Sequence, residues 1–268
     1  MRLEFSFTTD AYDSNTFIGP RLDDFLAAGF RHIHWCERWA EDYVYPDTEI
    51  ARIRAAFAER EMVLVDTHNA HCATARIDDP DPAVRAGGMR LLRNRLAFTK
   101  ALGGDVLVVH PPKGDEDPDQ RFPIYIASLR KIEPECCAAG LRIAVENMAS
   151  LRGPHLYALD QVFDGFDPAF LGFCFDSGHA NMAGNLDLVE RYGERLIALH
   201  LHDNHGEKDE HALPGDGTVD WPYVVRVLHR LDYARPVNLE VSAATRPDLS
   251  HPDFARLAHE RLAALFDG

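Results

Sequence analysis

Apolar residues along this chain follow two alternating rhythms. Short, nearly continuous or period-two apolar runs recur at 3–8, 31–36, 63–68, 105–110, 141–146, 170–176, 196–202 and 236–241. Each run reads as a strand. Between them lie stretches with a period near 3.6, at 19–29, 47–60, 80–102, 120–139, 155–164, 185–193, 220–231 and 250–266. These read as helices, the one at 155–164 being the weakest. Punctuation agrees with the rhythm. Asp47 stands at a cap position, Pro80 and Pro82 open the third helix, and Gly29, Gly103-Gly104 and Gly140 stand where helices stop.

Strict alternation predicts a parallel sheet of the α/β class, and eight units in this length predict a single (β/α)8 barrel. An open doubly wound sheet would want a glycine-rich phosphate turn after its first strand. Residues 8–18, TTDAYDSNTFI, offer none. No linker, low-complexity segment or internal repeat divides the chain, so residues 1–268 are expected to form one domain.

Such barrels carry their active sites at the C-terminal ends of the strands. Here strand after strand ends in a residue that can ligate a metal: His68, His110, Glu146, Asp176 with His179 beyond it, His200 with His202, and Glu240. Side chains change face with period two. Packing Leu107 and Val109, Ile143 and Val145, Phe173 and Phe175, Ile197, Leu199 and Leu201, and Val237, Leu239 and Val241 outward turns His110, Glu146, Asp176, His200 and Glu240 inward. Taken singly, a carboxylate there is more often a helix cap or rim salt bridge, and a histidine a structural residue. Five on consecutive strands, all of inward parity, point to one shared metal site. Mixed carboxylate and imidazole donors suit Mn2+, Zn2+, Co2+ or Mg2+.

His68 shares a face with Leu64 and Asp66 and is preferred as a ligand, while His71, in the following loop, is placed to reach a substrate. His32 and His34 share a face in strand two and read as core or rim residues. His155, His229, His251 and His259 fall on helices and are expected at the surface. The run Trp35-Cys36-Glu37-Arg38-Trp39 offers aromatic and charged groups for a substrate pocket. In the loop at 200–221, Asp209 and His211 stand two apart, as a pair of ligands can, although alone this segment reads as a solvated loop.

Charge then narrows the partners. The 28 Lys and Arg against 43 Asp and Glu leave a net charge of −15. Proteins that grip a phosphate backbone usually carry basic excess, so nucleic acid is disfavoured. No run approaches the ~20 apolar residues of a membrane span, and the N-terminus has no signal-peptide pattern. The 5 cysteines include no CxxC pair, which suits reduced thiols in a cytoplasm.

The motifs His110-Pro111, Val145-Glu146-Asn147, Phe175-Asp176-Ser177-Gly178-His179, His200-Leu201-His202-Asp203, Pro214-Gly215-Asp216-Gly217 with Asp220-Trp221, and Glu240 resemble the xylose isomerase-like TIM-barrel superfamily. That group includes sugar phosphate isomerases and epimerases, ketose 3-epimerases and the AP endonuclease family 2 enzymes. The resemblance covers nearly the whole chain and is strongest from 105 to 241. It implies two nested ligand sets. An epimerase-like set of Glu146, Asp176, His200 and Glu240 would hold one divalent ion. An endonuclease-like set adds His68, His110, His179, Asp209 and His211, enough for a multinuclear zinc centre of two or three ions.

The expected activity is a metal-dependent isomerase or epimerase acting on a sugar, sugar phosphate or sugar acid through a metal-stabilised enediolate. Glu146 and Glu240 would move the protons, and His179, His71 and Trp35 would contact substrate. The alternative is an endonuclease IV-like phosphodiesterase on abasic DNA. A sugar-binding barrel without turnover is a third class. A homo-oligomer is compatible with the sequence.

Overall fold

The computed structural model describes residues 3–12, 16–114 and 116–266, so both ends of the expected domain lie outside the described residues. Eight strands form one parallel sheet: β1 (Phe5–Thr8), β2 (His32–Trp35), β3 (Val63–His68), β4 (Val106–Val109), β5 (Arg142–Glu146), β6 (Leu171–Asp176), β7 (Leu196–His200) and β8 (Val237–Leu239). Their order is β7-β6-β5-β4-β3-β2-β1-β8. The ring closes through Leu201, whose N–H donates to the Asn238 carbonyl (3.0 Å) and whose carbonyl accepts from Glu240 N (3.0 Å). The expected (β/α)8 barrel is therefore the observed fold.

The helices are α1 (Gly19–Ala28), α2 (Asp47–Glu59), α3 (Pro82–Leu102), α4 (Pro118–Ala139), α5 (Pro154–Asp164), α6 (Ser177–Ala183), α7 (Leu188–Arg191), α8 (Trp221–Arg230) and α9 (His251–Phe266). Side chains of Asp81, Asp117 and Asp220 cap α3, α4 and α8. Gly103 and Gly140 stop α3 and α4 in the left-handed region. Outward residues such as Phe7, Ile33, Leu107, Val145, Phe173 and Leu239 pack on the helix layer. Val106, Val108, Ala144, Cys174, Ile197 and Ala198 form a smaller cluster inside the barrel. Among the described residues, no helix is long and apolar enough to cross a membrane.

Four expectations change. The helix expected at 185–193 shortens to the four-residue α7, and an unexpected helix, α6, is entered directly from β6. Gly184, at φ +70°, separates them. The β2–β3 register shifts between Ile33 and His34, which face Leu64 and Asp66. The extra residue, Val65, moves Leu64 to the helix layer and Asp66 to the interior, so they do not share a face. A second shift sets Phe173 against Leu196 and Cys174 against Ala198. Ile197 therefore packs inside, over Gly172, where an added Cβ would meet it at 2.6 Å. Finally, His155 is buried rather than surface-exposed, with Nε2 bonded to the Glu116 carbonyl at 2.7 Å.

Candidate metal centre

At the C-terminal mouth, donor atoms of Glu146, Asp176, His200 and Glu240 lie within 4.8 Å of one another. His200 Nδ1 sits between two carboxylates, 3.2 Å from Glu146 Oε2 and 3.1 Å from Glu240 Oε2. On the other side of Glu146, its Oε2 is 3.5 Å from His68 Nε2 and 3.4 Å from His110 Nε2, and the two Nε2 atoms are 3.0 Å apart. A third group comes from the loop after β7. Asp209 Oδ2 is 3.1 Å from His179 Nε2 and 3.3 Å from His211 Nε2. His202 touches both groups, with Nε2 at 3.1 Å from Asp176 Oδ1 and 3.6 Å from Asp209 Oδ1.

Several of these close pairs are not hydrogen bonds. Glu146 Oε2 and both ring nitrogens of His200 are buried without a hydrogen-bond partner. Two donors about 2.0–2.1 Å from a tetrahedral ion are roughly 3.4 Å apart, close to the spacing found around Glu146 Oε2. Tautomers point the same way. His68, His179 and His211 each place Nδ1 on a backbone carbonyl, of Asn69 (2.7 Å), Asn147 (3.0 Å) and Glu240 (2.8 Å). A carbonyl only accepts, so Nδ1 holds the proton and the neutral ring turns its Nε2 lone pair toward the cluster. Lone pairs facing carboxylates and each other call for a cation between them. The residues present fit a divalent ion of the Zn2+ or Mn2+ kind, and their number suits more than one.

Without an ion, protons supply the positive charge. Burial would lower the pKa of His179, His200 and His211, but facing carboxylates raise His179 and His211, the latter to about 10, and Cys174 together with Glu240 and Glu146 raises His200. Burial would likewise raise Glu146 and Glu240, yet the facing His200 holds both well below the usual carboxylate range.

Short motifs around the centre hold the scaffold. Asn147 locks β5 to β6 by donating Nδ2 to the Asp176 carbonyl and accepting Asp176 N–H, both at 2.8 Å. Asp176 caps α6, its Oδ1 accepting His179 N–H at 2.6 Å. Gly178 lies under His202, where an added Cβ would approach Cε1 to 1.9 Å. Asp203 gathers four donors: Asn204 N (2.9 Å), Gly215 N (2.8 Å), Val219 N (3.0 Å) and Trp221 Nε1 (2.9 Å). The Pro214-Gly215-Asp216-Gly217 and Trp221 segment is thereby clamped, and its loop delivers Asp209 and His211 to the mouth.

The aromatic groups divide. Trp35 is buried against Phe57 and Phe98, with Nε1 donating to Tyr45 Oη at 3.0 Å. Trp39 instead stands over the centre, its ring 5.6 Å from His68 and 6.0 Å from His110. Both border a cavity of about 790 Å³ whose wall includes Asp10, Arg21, Cys36, Glu37 and Ser242. His71 lies beside His110, ring centroids 5.3 Å apart, and burial with that neighbour pushes its pKa down to about 2. His34 is a core residue, as its strand position predicts, and the unexpected element is its pairing with Asp66. His34 Nδ1 meets Asp66 Oδ1 at 2.5 Å inside the barrel. The shared face of His32 and His34 was the available signal, but the bulge that brings Asp66 to them left none.

The sequence profile of the xylose isomerase-like TIM barrel family matches residues 22–264. The chain belongs to that family. It is 31% identical over 271 aligned residues to the uncharacterised protein y4fM of Sinorhizobium fredii, covering 89% of this chain and 85% of y4fM. Among solved structures, a D-tagatose 3-epimerase-like protein superposes with a TM-score of 0.80 at 21% identity, covering 99% of both chains. L-ribulose 3-epimerase gives 0.77 at 17% identity, covering 99% of this chain and 95% of the other. At these identities the structural likeness is one of fold.

Proposed function

We propose that this chain is a divalent-metal-dependent isomerase or epimerase of a sugar or sugar derivative. The observation that carries this reading is the pair Glu146 and Glu240, whose carboxylates meet His200 Nδ1 at 3.2 and 3.1 Å from strands β5 and β8. Glu146, Asp176, His200 and Glu240 would hold the ion, which when bound supplies Lewis acidity to the carbonyl and adjacent hydroxyl of the substrate. One glutamate takes the proton from the carbon next to the carbonyl, and the other returns a proton from the opposite side. His179 holds a substrate oxygen, Trp39 covers an apolar sugar face, and His71, neutral at physiological pH, offers a hydrogen bond without a charge. The fold shared with sugar 3-epimerases supports this class of substrate.

The test is a ketose and aldose panel run in deuterated water with Mn2+, Co2+, Zn2+ or Mg2+. Deuterium should enter at one substrate carbon. Clean isomer exchange without deuterium would remove the proton-transfer route. The groups around His68–His110 and His179–Asp209–His211 favour a second reading, a multinuclear phosphodiesterase on abasic DNA. The net charge of −15 opposes tight duplex binding. Salt-sensitive binding and metal-dependent nicking of abasic duplex would reverse the order of the two readings.

A further inference from the structure

We infer that Asp66 and His34 are a positioning pair that fixes the carboxylate of Glu240, an inference that rests on the role proposed above for Glu240. His34 is fully buried and Asp66 is 1% exposed. Asp66 Oδ1 holds His34 Nδ1 at 2.5 Å, and His34 Nε2, which makes no hydrogen bond among the described residues, lies at ion-pair distance from Glu240 Oε1, 3.5 Å away. The Cys36 thiol donates to that same Oε1 at 3.6 Å. His34 of strand β2 and Cys36 just beyond it thus flank one oxygen of Glu240, while Oε2 faces His200.

Nothing in the fold demands this arrangement. A buried imidazole–carboxylate pair is commonly no more stabilising than apolar residues of equal volume. Asp66 reaches the interior only because Val65 interrupts the β2–β3 register. A glutamate has three side-chain torsions, and rotation about the first two, or a partial twist about the third, would take the reactive oxygen out of line. Holding a proton-transfer group against such rotation is what a supporting hydrogen-bonded pair does, and loss of such support typically lowers metal affinity or activity 10–100-fold.

Mn2+ affinity measured by calorimetry tests the pair without any sugar. In His34→Asn the amide can still meet Asp66 but falls short of Glu240, and Mn2+ binding should weaken about 10-fold. His34→Gln reaches toward Glu240 and should recover most of that loss. In a Glu240→Gln background, His34→Asn should cause no further weakening. Asp66→Asn, which keeps the side-chain shape, should repeat the pattern if a His34 variant does not fold. A metal-free crystal structure of His34→Asn should show Glu240 rotated away from its wild-type orientation.

Additive losses in the double variant, or an unmoved Glu240, overturn the inference. So does an intense near-ultraviolet thiolate band on Co2+ loading that Cys36→Ser removes, because strand β2 would then supply ligands rather than support. The two readings fail separately. A chain that shows the coupling yet converts no sugar loses the proposed function alone. A chain that epimerises a sugar with additive losses loses the positioning pair alone. If a substrate is found, His34→Asn should lower kcat with KM little changed.

Discussion

Asp203 and Glu146 are both buried carboxylates near the C-terminal ends of strands, 0% and 1% exposed. Asp203 is saturated, with four donors between 2.8 and 3.0 Å. Glu146 has three imidazole nitrogens within 3.5 Å of Oε2 and no hydrogen bond to it. Buried polar groups in a folded protein are nearly always satisfied, and an unsatisfied one among crowded ligand-type nitrogens fits a place where an ion would bind. One carboxylate closes the loop, and the other is kept open by the scaffold around it.

The largest expected effect comes from Glu146→Gln and Glu240→Gln. Each keeps an oxygen and the shape of the side chain but removes the proton acceptor. Turnover on the substrate found in the panel should fall by at least ~10²-fold, with little change in Tm. Near-wild-type rates would turn both glutamates into ligands alone. Asp203→Ala is the opposite case. It strands four donors and should lose about 3–5 kcal/mol, a fall in Tm of roughly 10 °C. An unchanged melting curve would mean that the clamp is redundant.

Metal addition sharpens the contrast at smaller amplitude. After chelation, Mn2+ or Zn2+ at a hundredfold excess over Kd should raise stability by about 2.7 kcal/mol per site, measured by calorimetry. The Asp203→Ala protein should gain a similar increment if its mouth survives. No gain in wild type would show that the open carboxylates take no ion.

The smallest effect is in pH. His211 is raised from 6.5 to about 10 in the metal-free chain: burial opposes its charge, but bonding to Asp209 and the field of Glu240 prevail. Its contribution is therefore complete below pH 6.5 and is lost as pH climbs toward 10. Denaturant melts of metal-free protein should decline across that window, and His211→Gln should flatten the slope. Glu146 and Glu240 shift the other way, so their contribution disappears only when pH falls below the usual carboxylate range.

Much of this was legible in the chain. Alternating periods gave the barrel, and inward parity brought His110, Glu146, Asp176, His200 and Glu240 to one mouth, because β-strands turn successive residues to opposite faces. What escaped was whatever breaks a period. Val65 and Ile197 are bulge residues, and nothing in an apolar β-branched side chain announces one. Helix α6 begins Ser-Gly-His-Ala-Asn and has no apolar stripe. It exists because Asp176 caps it and β6 feeds it. Trp35 and Trp39 look alike in sequence, but strand parity sends the first into the helix layer, and the turn after β2 carries the second over the centre.

The way Asp176 and Glu146 are already engaged has a consequence for which ions can compete. Asp176 Oδ1 accepts the His179 N–H, and His202 Nε2 lies against both carboxylate oxygens at 3.1 and 3.2 Å. Glu146 Oε1 meets His179 Nδ1 at 3.1 Å, which leaves Oε2 for the cluster. Glu146 therefore turns a single oxygen to the mouth, both oxygens of Asp176 are already engaged, and His200 puts a nitrogen among the four donors. Ca2+ requires six to eight oxygens and often grips carboxylates by both. This denticity discriminates against calcium while leaving smaller, nitrogen-tolerant ions unaffected, so millimolar Ca2+ should not displace bound Mn2+.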